Sequence, residues 1–233
     1  MTSLRSEDPS WAIESIPVDD AGFAFYLSEY KPFRLTALRQ DPDAFGSTYE
    51  REAASGDEYW HRRLYNPLAR TFVAVRLRDR RVLSATTVYG PMPHNEVVPN
   101  PGIAADVAIL TTATANDTQG GPDDHVPLVY QLTGVYTRAE ARGRGLGKAL
   151  SRAAAEYAHA DALRRGARCR LGLDVYAANT AAVAFYQKCG FAVGGPRPVD
   201  EDSDEARPEL VMYYRTPEEH SGTQRDSRSD TIV

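Results

Sequence analysis

The sequence predicts a mixed α/β fold, in which a central sheet of about seven strands is flanked by helices. Strand-like and helix-like segments follow one another along the 233 residues, in the order strand, two helices, hairpin, strand, helix, strand, helix and two strands. A glycine-rich turn, residues 142–148, stands between a strand and a helix in the middle of that order. A hydrophobic content of 42% is enough for a chain of this length to bury one core as a single domain.

The first half of the chain predicts a strand, helical regions and a hairpin. The strand lies near residues 12–17, and a helical pattern follows over 19–38, with Pro32 inside it. The pattern ends at Asp41, because the residue before a proline is driven from helical angles. Residues 43–49 are typical of a turn. The segments that complete this half are a short helix, 58–64, and a hairpin of strands 71–76 and 82–89.

The second half predicts two strand-to-helix units and a final pair of strands. A strand at 128–136 leads through the glycine-rich turn into a helix that runs on through Ala158. A strand at 171–176 leads into a helix that begins at Asn179, a good N-cap, and stops at Gly190, which supplies a left-handed end. The last two strands are predicted at 191–194 and 210–214.

The domain prediction is one folded body with polar ends. Residues 1–12 are a polar arm, residues 13–216 the domain, and residues 217–233 a disordered tail of mixed charge. Residues 91–126 form an insertion, because they are longer than an ordinary connection and rich in proline. An acidic loop, residues 200–205, is predicted before the last strand.

Composition excludes several classes of protein. A net charge of −5 and a pI of about 5.6 argue against a nucleic-acid surface, where binding rests on phosphate neutralisation. No apolar run approaches the roughly 20 residues of a membrane span. Two cysteines and no secretory signal indicate a reduced, cytoplasmic protein. The five histidines are scattered, so no metal site is predicted.

The glycine-rich turn has the chemistry of a diphosphate site. Glycines allow the backbone to turn tightly and approach a ligand, and the first amides of the next helix lack internal partners at the positive end of its dipole. A P-loop would need glycine at Arg142 and a hydroxyl residue at Ala149, and a dinucleotide fingerprint would need one more residue between the last two glycines. Both of those interpretations therefore fail on spacing.

Two motifs together resemble the GCN5-related N-acetyltransferase (GNAT) family. The turn matches the family pattern Arg/Gln-x-x-Gly-x-Gly, with Arg142, Gly145 and Gly147 in its fixed positions. About thirty residues later, residues 179–191 match the pattern N-x-x-A-x-x-F-Y-x-K-x-G-F at every fixed position. The resemblance covers roughly residues 11–215 and is specific over 128–191. It implies the GNAT acyltransferase fold and acetyl-CoA as co-substrate.

The resemblance also implies roles for particular residues. Backbone groups of Val135, Tyr136 and Thr137 would pair with the pantetheine arm, and Asn179 would bond near it. The diphosphate would bind the backbone amides and flanking cations of the turn, which are contributed by Arg142, Gly143, Arg144, Gly145, Leu146, Gly147 and Lys148. The proline that is frequent in family members near residues 137–139 is absent here.

Two side chains are predicted to carry the chemistry. Tyr186 stands where many family members place the proton donor for the departing thiolate, and a phenol is still protonated at neutral pH. Asp174 is the candidate base, in the position of a family glutamate, although a structural role is almost equally favoured. Strand alternation separates Asp174 from the apolar row of Leu171, Leu173 and Val175.

The predicted acceptor is a primary amine on a small molecule or a peptide, bound by a monomer or a homodimer. Residues 45–49 are the best candidate for one wall of its pocket, and the loop 200–205 could attract a cationic amine. The alternative is a non-catalytic module that binds acyl-CoA and regulates a partner protein. Turnover on an amine panel distinguishes the two hypotheses.

Overall fold

The computed structural model describes residues 10–92, 127–196 and 208–215. The chain divides into two compact units, residues 1–171 and 172–233. All seven predicted strands are present, with helices beside them, and this confirms the mixed α/β class. The predicted tail, the acidic loop and nearly all of the predicted insertion lie outside the described residues.

The first unit holds most of the secondary structure. Its strands are β1 (Trp11–Ser15), β2 (Ala69–Arg76), β3 (Val82–Met92) and β4 (Leu128–Thr137), and β5 (Cys169–Tyr176) begins in it. Its helices are α1 (Asp20–Phe25), α2 (Lys31–Gln40), α3 (Tyr49–Ala53), α4 (Asp57–Leu64) and α5 (Leu146–Arg164). The second unit contains the rest of β5, together with α6 (Thr180–Lys188), β6 (Phe191–Pro196) and β7 (Glu209–Tyr214).

The helical region before residue 41 is continuous but not uniform. Asp19 caps α1, because its side chain accepts a hydrogen bond from the Gly22 amide. Residues Tyr26–Tyr30 then form a π-helical turn, in which the Lys31 amide bonds the Tyr26 carbonyl five residues back. Pro32 follows this turn directly, at the point where the π-helical hydrogen bonds give way to those of α2. The helix ends at Gln40, as the Asp41-Pro42 pair predicts.

Four strands of the first unit form an antiparallel sheet in the order β1-β2-β3-β4. The register between β3 and β4 shifts, because Ala85 lies opposite Tyr136 whereas Thr87 lies opposite Thr133. Gly134 takes a left-handed φ of 61° inside this shift. The pattern is a bulge with one extra residue on β4, which glycine permits.

The bulge reverses the faces to which the side chains of β4 point after Gly134. Without it, Tyr130 and Tyr136 would share a face of the sheet, because six residues preserve the alternation of side chains. Instead the Tyr130 hydroxyl donates to Asp161 of α5 at 2.6 Å, whereas the Tyr136 ring contacts Phe33 of α2 and Phe45. One strand therefore supplies aromatic side chains to both cores of the first unit.

The core between the sheet and α1–α4 is rich in aromatic residues. Trp60 and Tyr26 are almost completely buried, and their ring centroids lie 6.2 Å apart. The opposite face of the sheet packs against α5, whose buried positions include Leu150, Ala154 and Ala158. Small alanines on this stripe let the helix lie close to the sheet.

The second unit has a three-stranded antiparallel arrangement in the order β5-β7-β6. Asn179 caps α6, since its side-chain oxygen accepts from the Ala182 amide at 3.1 Å. Gly190 ends the helix with a left-handed φ of 95°, and Phe191 is buried against Tyr214. The N-cap and the glycine stop that the sequence predicts are both confirmed.

Two elements differ from the sequence prediction. Residues 49–53 form α3, where the pattern predicted only a turn, and the Thr48 hydroxyl caps this helix by accepting from the Arg51 amide. A threonine followed by acidic residues in the first turn was the signal for it. Strand β3 also extends to Met92, two residues into the predicted insertion.

Candidate active site

The glycine-rich turn leaves open space above its backbone. Gly143 and Gly145 have left-handed φ values of 75° and 80°, and Gly145 directly precedes α5. No described atom lies within 4 Å of the position that a Cβ on either glycine would occupy. A ligand can therefore approach the backbone here, and glycine is required because other residues rarely adopt these angles.

Six successive backbone amides in this turn have no hydrogen-bond partner within the described residues. They belong to residues 143–148, whereas the next amide, that of Ala149, bonds the Gly145 carbonyl at 3.0 Å. Helix α5 is 19 residues long, so the positive end of a full helix dipole lies at the same place. Unpaired amides at a helix start are the donors that bind phosphate oxygens in other proteins.

The cations of the turn have different surroundings. Arg142 donates through Nε to the Thr137 carbonyl at 3.0 Å and through Nη2 to Asp41 at 2.7 Å, which raises its pKa. Arg144 donates to the Ser10 hydroxyl at 2.6 Å. The Lys148 side chain is exposed at the start of α5. Arg142 thus holds the turn against β4, and Lys148 extends into solvent.

Two backbone carbonyls of β4 already accept hydrogen bonds where the pantetheine arm is predicted to bind. The Tyr136 carbonyl accepts from the Ser84 hydroxyl at 2.7 Å, and the Thr137 carbonyl accepts from Arg142. Val135 lies in the register shift and has no Cα partner in β3. Of the three predicted residues, Val135 is therefore the one that the β3 ladder leaves out.

Tyr186 lies on α6, half-buried, with its ring against Phe185 and Phe191 at centroid distances of 5.3 and 5.8 Å. Burial raises the pKa of its phenol above the usual value, with a smaller contribution from Cys189. The hydroxyl donates to no acceptor in the described parts of the chain. The Tyr186 hydroxyl is therefore a neutral donor that has no acceptor among the described residues.

Asp174 and Asn179 belong to the same unit as Tyr186. Asp174 lies opposite Val211 of β7 and is half-buried, whereas Leu173 and Val175 on either side are buried. The predicted alternation along β5 is confirmed. The side-chain oxygen of Asn179 accepts the capping hydrogen bond of α6. Its NH2 group is the part of the side chain that can donate to a ligand.

The first unit contains a buried charged cluster that no sequence pattern predicted. Glu52 of α3 has no solvent exposure and accepts from Arg34 Nε at 3.0 Å and from Arg34 Nη2 at 2.8 Å. Arg63 of α4 approaches the same carboxylate at 3.4 Å. Burial alone would raise the pKa of Glu52, but Arg34 and Arg63 hold it below its usual value. No periodicity reveals such a pairing, because the three residues come from three separate helices.

Comparisons with known proteins agree with the glycine-rich turn and the fold described above. The sequence model of the acetyltransferase (GNAT) family matches residues 104–191. Over residues 104–191 the chain is therefore similar to the GNAT acetyltransferases, and its fold agrees with that similarity. No curated protein sequence matches the chain.

Solved structures share the fold at low identity. NAA60 of Arabidopsis thaliana, solved with acetyl-CoA, is 14% identical, with a TM-score of 0.52 over 88% of this chain and 97% of that one. Ribosomal-protein-alanine N-acetyltransferase of Brucella melitensis is 19% identical, with a TM-score of 0.51 over 87% and 98%. A nourseothricin acetyltransferase is 22% identical, with a TM-score of 0.41 over 64% of this chain and 66% of its own length.

Among the described residues, no group of three or more histidine, cysteine or carboxylate side chains could hold a metal ion. None of the described helices has both the length and the apolar character needed to cross a membrane.

Proposed function

We propose that this enzyme transfers the acetyl group of acetyl-CoA to a primary amine of a small molecule or a peptide. The observation that carries the proposal is the run of amides at residues 143–148, which have no partner in the described part of the chain and which offer the donors and the open space for a diphosphate. The exposed Lys148 adds a point charge beside them. In this proposal the pantetheine arm runs back along β4, where Val135 offers backbone groups outside the β3 ladder.

The transfer itself requires few groups. The uncharged amine nitrogen bonds the acetyl carbon, the carbon–sulfur bond breaks, and the departing thiolate takes a proton. We assign that proton to the Tyr186 hydroxyl, whose raised pKa keeps it protonated throughout the neutral range. Asp174 is the proposed acceptor of the amine proton, directly or through water.

Calorimetry and a thiol-release assay test the proposal together. We expect the wild-type chain to bind acetyl-CoA and to release CoA thiol when a suitable amine from a broad panel is added. Mass spectrometry of the products then identifies the acetylated amine. Absence of acetyl-CoA binding would overturn the proposal, and binding without turnover on any amine or peptide would favour the non-catalytic acyl-CoA module instead.

A further inference from the structure

Arg34 is a nearly buried cation whose donor groups are only half used. It is 6% exposed, and its Nε and Nη2 donate to Glu52 in a side-on arrangement. A guanidinium has five N–H donors in a fixed planar fork, so this leaves both hydrogens of Nη1 and one of Nη2. These remaining donors have no acceptor among the described residues.

Nη1 of Arg34 lies beside the bulge of β4. It is 4.0 Å from the position that a Cβ on Gly134 would take, and apart from the residues next to Gly134 no other described atom is within 4 Å of that position. The Phe45 ring covers one face of the guanidinium, at 4.6 Å from its central carbon. Glu52 from α3 and Phe45 before it therefore fix the direction in which the free donors point.

The position of Gly134 is significant if acetyl-CoA binds as proposed above. The diphosphate would bind at residues 143–148 and the pantetheine arm at Val135–Thr137, so the acetyl end would lie further back along β4. The next residue back is Gly134, which is exposed and carries no side chain. The free edge of Arg34 thus lies at the acetyl end of the proposed site.

The charge around Arg34 is unbalanced among the described residues. Arg34 and Arg63 contribute two positive charges, and Glu52, with its lowered pKa, contributes one negative charge. The tyrosines beside Arg63 do not restore the balance, because burial raises the pKa of Tyr26 and of Tyr89 and keeps both neutral. Within the described part of the chain, this cluster therefore has one positive charge in excess.

We propose that the acceptor amine also carries a carboxylate, and that Arg34 binds this carboxylate beside the bulge of β4. This inference rests on the proposed acetyl transfer and names the substrate class. The end-on edge of the fork, Nη1 with the second hydrogen of Nη2, fits the two oxygens of a carboxylate. A carboxylate matches the single excess charge, whereas a phosphate monoester brings about −1.5 to −2. Acceptors of this kind include amino acids and other amino carboxylates.

Paired substrates test the proposal on the full-length chain. Amino acids and their neutral carboxamides are compared as acceptors at saturating acetyl-CoA, with kcat/KM measured by thiol release. We expect the acids to exceed their amides by about 10- to 100-fold, the range for a charge-assisted hydrogen-bonded pair. Equal kcat/KM for the acids and amides would overturn the proposal while leaving acetyl transfer intact.

Variants assign the preference to Arg34. Arg34→Gln alone would leave Glu52 buried without its main partner, so the informative variant is Arg34→Gln with Glu52→Gln, which removes both charges. We expect this double variant to lose the preference for acids while its affinity for acetyl-CoA is retained. Arg62→Gln is the matched control, because Arg62 is an exposed arginine on α4 that pairs with Glu58 on the surface. An unchanged acid-to-amide ratio in the double variant would assign Arg34 a purely structural role.

A binding measurement keeps the two proposals separate. Thermal unfolding is followed with CoA and increasing benzoate, a carboxylate without an amine. We expect benzoate to raise the Tm of the wild type and of Arg62→Gln, but not that of the double variant. Stabilisation by CoA without any effect of benzoate would contradict the carboxylate site alone. Absence of any effect of CoA would contradict acetyl-CoA binding itself.

Discussion

At the scale of single residues, Tyr186 is the group on which the proposed chemistry depends. Its hydroxyl is neutral and is not committed to an acceptor in the described residues, and its ring is held by Phe185 and Phe191. A fixed ring with a free hydroxyl suits a donor that must meet a group from outside the protein. A tyrosine that serves only the core would more often have its hydroxyl satisfied.

Tyr186→Phe keeps the ring and removes the donor. We expect kcat to fall by about 10²-fold or more, the usual contribution of a positioned acid, and the affinity for acetyl-CoA to stay unchanged. Because the pKa of Tyr186 is raised, wild-type kcat should show no falling limb from this group below about pH 10. Tyr213→Phe, an exposed tyrosine on β7, is the control. Unaltered turnover in Tyr186→Phe would remove the assigned acid.

Glu52 is a residue whose substitution should cost much stability. Glu52→Gln removes the carboxylate that pairs with the buried Arg34 and the half-buried Arg63, and breaking a buried pair in this way costs about 3–5 kcal/mol. Chemical unfolding of the variant measures this difference. Glu58→Gln, at an exposed pair on α4, should change the free energy of unfolding by less than about 1 kcal/mol. Similar losses of unfolding free energy in Glu52→Gln and Glu58→Gln would contradict the larger contribution assigned to Glu52.

The same residue predicts a pH dependence. The folded-state pKa of Glu52 is below its ordinary value, so the unfolded chain binds its proton first as the pH falls. The stability from this pairing is therefore complete above about pH 4.5 and is lost as the pH falls through the folded-state pKa. We expect wild-type stability to fall more steeply than that of Glu52→Gln below that pH. Parallel curves from unfolding at several pH values would refute the assignment.

At the scale of elements, close contacts outweigh intrinsic propensity at the start of α1. A Cβ on Gly22 would lie 1.9 Å from the Pro17 carbonyl oxygen, which is backbone and cannot move aside. We expect Gly22→Ala to destabilise the protein, although alanine favours helices over glycine by about 1 kcal/mol. Ala24→Gly, at an exposed position in the same helix, should cost only about that 1 kcal/mol. A stabilised Gly22→Ala in urea unfolding would show the contact to be wrong.

The elements could be predicted where local chemistry decides them. Asn179 and Gly190 bound α6 because a capping side chain and a left-handed stop are local properties, and both are visible in the sequence. The bulge at Gly134 could not be placed, because it depends on the register of β4 against β3. A glycine inside a strand pattern was its only signal.

The candidate site was likewise predictable only where its residues are adjacent in the sequence. The turn at residues 142–148 is one continuous stretch, so its glycines and cations stand together in the sequence. The ion pairs that engage Arg142 and Arg34 join residues far apart in the chain, Asp41 with Arg142 and Glu52 with Arg34. Such pairs come from tertiary packing, which no local pattern contains.

At the scale of the whole molecule, a chain with a net charge of −5 has two local positive sites where anions are proposed to bind. One is the start of α5, with Lys148 and the amides that have no partner among the described residues, and the other is the edge of Arg34 beside the bulge of β4. Both belong to the first unit, residues 1–171. Local positive sites on an acidic protein fit anionic small ligands better than an extended polyanion.

The most direct test of the central claim is the affinity for acetyl-CoA of two glycine variants that flank α5. Gly145 and Gly166 both have a left-handed φ, 80° and 71°, and open space where a Cβ would go, so alanine strains the backbone equally at each position. By calorimetry we expect Gly145→Ala to bind at least about tenfold more weakly than wild type, because its Cβ occupies the space of the ligand. Gly166→Ala should bind like the wild type. Equal affinities for the two variants would contradict the claim that the amides of residues 143–148 hold the diphosphate.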